Sequence, residues 1–187
     1  MKEITLEKIR QIYKEMLENG NTKEEIIQNI FLNYSTFIDN NQIIYKHKKY
    51  ISEVFHTDFR NIFLIGSRHL GFKIEKNELK IKSEFNEKTD YDYAIIDTNL
   101  FSKYFDEFNE FNCKYKENIC KGFLHPLYNL KLKKHIEKKM NGCSGKISIC
   151  IYLTERSFIK KLYGFYGEKI FENISETIIP EPVNIIK

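Results

Sequence analysis

The amino-acid sequence predicts an α+β domain, in which a small mixed β-sheet is flanked by helices and preceded by an N-terminal helical hairpin. Three observations lead there. Apolar residues recur at helical spacing from Ile4 to Tyr34, and short runs rich in Ile, Tyr and Phe interrupt the helical patterns at three later places. The resulting order of helices, strand, strand, helix, helix, strand and helix suits a mixed sheet with helices packed on it.

Ile4, Ile9, Ile12, Tyr13, Met16 and Leu17 keep a helical period and Gly20 follows as a stop signal, predicting a first helix over 4–18. Thr22 with Glu25 three residues on is a capping-box pattern leading into Ile26, Ile27, Ile30, Phe31 and Tyr34. Two amphipathic helices in succession form a hairpin, assigned to an extension over residues 1–45, with the main domain over 46–187. A third helix is expected over 46–57. It leads into Asn61 to Ile65, whose abrupt stop at Gly66-Ser67 marks a strand buried on both faces. From Gly71 to Ser83 the pattern weakens to an irregular excursion with extended pieces near 72–74 and 79–81. Asp90 to Asp97 reads as a strand, 99–108 as a helix capped by Thr98, 127–140 as a helix, 146–153 as a strand and 155–166 as a helix, before a tail with Pro180 and Pro182.

Composition narrows the class. In 187 residues, 42% are hydrophobic, with 15 Phe and 12 Tyr, which supplies ample core material for one domain. No run approaches the roughly 18–20 apolar residues of a membrane span, and Met1 to Arg10 mixes Lys and Glu where a signal peptide needs an apolar stretch. The expected location is therefore the cytoplasm, without membrane contact. There Cys113, Cys120, Cys143 and Cys150 stay as free thiols, since their C-x6-C spacings differ from the usual zinc pairs. The net charge of +4 is unevenly spread: residues 121–161 carry 10 Lys/Arg against 2 Asp/Glu, whereas 1–120 carry 18 against 20. Its densest part, Lys131 to Lys139, is a candidate contact for a nucleic-acid or protein partner, or else a solvated helix face.

Chemistry concentrates where one predicted strand ends and the next begins. Side chains alternate on a strand, so Asp90 and Asp92 share a face about 7 Å apart. Two carboxylates held together repel unless a cation neutralises them, and hard oxygen ligands suit Mg²⁺ or Mn²⁺ with substrate phosphates. Gly66-Ser67 offers the complementary half: a sharp turn that lets phosphate approach the backbone, a hydroxyl and an amide, with the permanent charge of Arg68 beside them. Elsewhere, His47, His56, His69, His125 and His135 form no metal-site spacing, and no Ser or Cys pairs with a base. His69 is singled out only because it follows the Gly-Ser turn.

The runs Ile65-Gly66-Ser67-Arg68-His69-Leu70-Gly71 and Thr89-Asp90-Tyr91-Asp92-Tyr93-Ala94-Ile95-Ile96 resemble the signature of the DNA polymerase β-like nucleotidyltransferase superfamily. In detail they resemble small, mostly uncharacterised bacterial members, a likeness that extends to Ser83–Phe85 and Ile96–Phe101. The resemblance implies a sheet of nucleotidyltransferase type, an NTP triphosphate against Gly66, Ser67 and Arg68, and Mg²⁺ or Mn²⁺ on Asp90 and Asp92 as catalytic and metal-holding residues. It implies transfer of an NMP from an NTP to a hydroxyl of a protein, nucleic acid or small molecule. Active members add a third carboxylate from a later strand. The strand at 146–153 carries no acid on either face, and Glu155 lies beyond its end. This leaves an alternative, a catalytically inactive copy of the fold that binds nucleotide, nucleic acid or a protein partner in a toxin–antitoxin or phage-defence setting.

Overall fold

The computed structural model describes residues 2–36, 41–74, 81–82, 89–106, 116–127, 129–140, 143 and 145–167. Helix α1 spans Lys2–Glu18 and α2 spans Lys23–Gln28, the latter opened by the expected box, with the Thr22 amide donating to Glu25 Oε2 at 2.6 Å. A π-helical turn, Asn29–Asn33, continues α2 and buries Ile30 and Phe31. The third helix, α3, begins at Asn41 rather than 46 and ends at Phe55. After a 3₁₀ turn come β1 (Ile62–Ile65), the short helix α4 (Gly66–Leu70), and an antiparallel ribbon of β2 (Lys73–Ile74) and β3 (Ile81–Lys82). Next follow β4 (Tyr91–Ile96), α5 (Thr98–Asp106), α6 (Lys116–Cys120), β5 (Phe123–Leu124), α7 (Leu130–Met140), β6 (Ile147–Tyr152), α8 (Glu155–Leu162) and a second π-helical turn (Tyr163–Gly167). Ser83–Phe85, Cys113 and the tail with Pro180 and Pro182 lie outside the described residues.

The main sheet has four strands in the order β1-β4-β6-β5. β4 runs antiparallel to β1 and parallel to β6, and β5 closes the edge antiparallel to β6, so the sheet is mixed, as expected. Alternation divides its side chains between two hydrophobic clusters. On one face Ile65, Ala94, Cys150 and Tyr152 pack with α1, α2, α8 and both π-helical turns. On the other, Ile62, Leu64, Tyr93, Ile95, Ile149 and Ile151 pack with α3, α5 and α7. With apolar cover on both sides, the central strands read in sequence as nearly continuous apolar runs.

Three local differences have simple causes. Helix α5 is capped by Asp97 and not by Thr98, because Asp97 Oδ1 accepts from the Leu100 amide at 2.9 Å while the Thr98 hydroxyl donates to the Leu153 carbonyl. Helix α7 starts at Leu130 and not at 127, since Asn129 Oδ1 takes the Leu132 amide at 2.9 Å and so acts as its cap. The two-residue strand β5 and helix α6 were too short for a periodic signal. Among the described residues, no helix is long and apolar enough to cross a membrane.

Candidate functional site

The register of β1 against β4 sets Ile65 opposite Asp92, which brings the end of β1 and the carboxylate strand to one edge of the sheet. Immediately after Ile65, Gly66 turns the chain with φ +72°, a left-handed conformation that L side chains rarely adopt. The turn also brings backbone against carboxylate: a Cβ added at Gly66 would stand 2.6 Å from Asp92 Oδ2. Only glycine serves here, for conformation and for space. Ser67 follows in the first turn of α4, and its carbonyl accepts from the Gly71 amide at 2.8 Å.

Asp92 is largely buried, and the desolvation of its carboxylate, aided by the neighbouring negative charge of Asp90, pushes its pKa up to about 6; Lys146 pulls in the other direction. A carboxylate in that state is under-compensated and gains from any cation that reaches it. Asp90 is more exposed and accepts a hydrogen bond and ion pair from Lys146 Nζ at 2.7 Å. Lys146 is in turn raised by this contact. Arg68 follows at the same end of the sheet, where its guanidinium lies 4.4 Å from the centre of the Tyr91 ring, on the face opposite Asp92, and Nε donates to the Thr89 carbonyl at 3.0 Å. Gly66, Ser67, Asp90 and Asp92 are thus brought to one edge of the sheet, with the Arg68 guanidinium at the same edge on the Tyr91 face.

The parallel pairing of β4 with β6 places Ser148 opposite Asp92. A hydroxyl-bearing residue therefore occupies the neighbouring position on the next strand. Glu155 stands at the other end of β6, at the start of α8, beyond four strand steps of about 13 Å from Ser148 to Tyr152. There its carboxylate accepts from Gln28 Nε2 at 2.5 Å, away from Asp92. Among the described residues, no group of three or more His, Cys, Asp or Glu side chains is placed to hold a metal ion. Asp90 and Asp92 form a two-carboxylate oxygen set that fits a hard divalent ion retaining water or phosphate ligands.

His69 belongs to the core. It is fully buried, stacks on Phe31 with centroids 5.0 Å apart, and its Nε2 meets the Ile30 carbonyl at 2.8 Å, while burial pushes its pKa down to about 4. His47 and His135 likewise meet the hydroxyls of Tyr93 and Tyr104. Cys120, Cys143 and Cys150 are free. Lys131, Lys133, Lys134, Lys138 and Lys139 are exposed on α7, with Lys133 Nζ 3.8 Å from Glu137.

The chain matches no family model, no curated protein and no solved structure.

Lys146 and Ser148 were not anticipated as site residues. Each lies more than 50 residues from its partner aspartate. Lys146 opens the expected strand at 146–153, so the signal was its position at a strand start; recognising its partner requires the parallel register with β4.

Proposed function

We propose that this edge of the sheet binds a nucleoside triphosphate with Mg²⁺ or Mn²⁺ and that the protein transfers an NMP to an acceptor hydroxyl, releasing pyrophosphate. The observation that carries the reading is the seating of the Gly66 turn directly against the Asp92 carboxylate. It joins a phosphate-accepting turn to a carboxylate whose burial favours cation capture. Asp90 and Asp92 would hold the metal, which when bound supplies neutralisation and polarisation of phosphate oxygens. Ser67 contributes a hydroxyl and an amide to the triphosphate, and Arg68, clamped over Tyr91, adds fixed positive charge. Lys146 is the cation already paired with Asp90, and it is placed to move to a substrate phosphate when a metal takes its carboxylate.

A second reading is a nucleotide-binding protein of the same architecture without transfer activity. Ser148 opposite Asp92 favours it, because a hydroxyl adds no charge to the metal-holding set.

Incubation with radiolabelled NTPs, Mn²⁺ and a cell lysate separates the two. Transfer labels an acceptor and releases pyrophosphate, and Asp92→Asn abolishes it by removing the charge while keeping the shape. The binding reading expects no label but a rise in thermal midpoint with nucleotide. Labelling that survives in Asp92→Asn would refute the site.

A further inference from the structure

At the opposite end of β6 the fold forms an open concavity of about 790 Å³ between α6–β5 and α8. Leu153, on its floor, lies five residues beyond Ser148, so about 17 Å of strand separates it from the Asp92 edge. The floor is tightly built. Gly122 has φ +77°, its carbonyl accepts from the Leu153 amide at 3.0 Å, and a Cβ there would stand 2.9 Å from that of Ser157.

The charge of the lining is one-sided: Lys121, Arg156, Lys160 and Lys161 contribute to it and no Asp or Glu does. Two of these cations have local partners. Lys121 pairs with Glu117, while Lys161 donates to Asn118 Oδ1 at 3.1 Å and lies 4.7 Å from the centre of the Phe123 ring. Arg156 and Lys160 stand one helical turn apart on the same side of α8, a like-charge spacing that costs a helix a few tenths of a kcal/mol. An anion in the cavity relieves that repulsion. The start of α8 is not itself the attraction, since Thr154 and Ser157 already cap each other.

Beyond the cations the wall turns apolar, with Phe123 and Leu153 on the floor and Phe165, 37% exposed, at the rim. The volume lies in the range of small-molecule pockets and exceeds what a bare phosphate fills. We infer that this cavity is a metal-independent site for a phosphomonoester carrying a flat ring, a ligand of the mononucleotide class. Its phosphate lies against Arg156, Lys160 and Lys161 and its ring against Phe165. The same chemistry is presented by a free mononucleotide and by the 5′-phosphorylated end of a strand.

The test uses the intact protein in EDTA, with radiolabelled AMP in equilibrium dialysis and alkylation of the exposed Cys120 in the same cavity read by peptide mass spectrometry. Saturable AMP binding that shields Cys120 is expected. Arg156→Ala and Lys160→Ala should each weaken it about tenfold, the effect of losing one charge-assisted contact. Gly164→Phe, at a wall position where an added Cβ meets nothing within 4 Å, should block entry. Asp92→Asn should leave binding unchanged, so the outcome is independent of the NTP site. A 5′-phosphorylated hexadeoxynucleotide that binds more tightly than AMP identifies a strand end as the source, and the reverse order identifies the free nucleotide. Absence of saturable binding by either, loss of binding in Asp92→Asn, or inorganic phosphate binding as tightly as AMP overturns the inference.

Discussion

Substituting Gly66 by Ala tests the contact on which the candidate site depends. Two costs act at once. An L residue at φ +72° incurs the left-handed penalty of about 1–2 kcal/mol, and the new Cβ, 2.6 Å from Asp92 Oδ2, drives the carboxylate out of its place at a further cost of about 1–2 kcal/mol. A total on the order of 3 kcal/mol lowers the thermal midpoint by roughly 6–12 °C for a chain of this length. The two parts separate in a double-mutant cycle. With Asp92→Ala the offending oxygen is gone and the nearest remaining Asp92 atom, its Cβ at 3.4 Å, is an ordinary neighbour, so Gly66→Ala should then cost only the left-handed part. Urea denaturation of the four proteins, without metal, gives the coupling energy. Equal costs of Gly66→Ala in both backgrounds would refute the steric link between turn and carboxylate, and no cost in either would refute the turn itself.

Asp92 and His69 should affect acid stability with opposite signs. The folded pKa of Asp92 stands near 6, above its ordinary 3.8, so the folded state binds the extra proton and stability falls as pH rises from about 4 to 6; Asp92→Asn should remove this fall and stabilise the metal-free protein at pH 7 by about 1–3 kcal/mol in urea denaturation. For His69 the folded pKa is near 4 against 6.5, so the unfolded state binds the proton and stability rises with pH between 4 and 6.5, a rise that His69→Gln should flatten in the same assay. Mn²⁺ with an NTP should raise the thermal midpoint of the wild-type protein, and Asp90→Ala or Asp92→Ala should abolish the rise. If Lys131, Lys133, Lys134 and Lys138 contact nucleic acid, gel-shift affinity for tRNA or single-stranded DNA should fall steeply from low to moderate salt, and replacing one of them by Ala should reduce the salt slope by about one.

Much of this architecture was legible along the chain because its signals are local. Helical spacing marked α1 and the Thr22–Glu25 box marked the start of α2, both interactions that close within one turn. Apolar runs marked β1, β4 and β6, since strands covered on both faces have few polar positions. The Asp-x-Asp alternation and the Gly-Ser stop likewise marked the candidate residues. What the tertiary structure alone decided are relations between distant segments. The antiparallel register seats Asp92 on the Gly66 turn, and the parallel register sets Ser148 beside Asp92 and Lys146 on Asp90. Tertiary packing also leaves Glu155 at the far end of β6 and turns His69 into the core against Phe31. Pairing register depends on which buried faces fit together in space, a property of the packed whole that no window of a few residues contains.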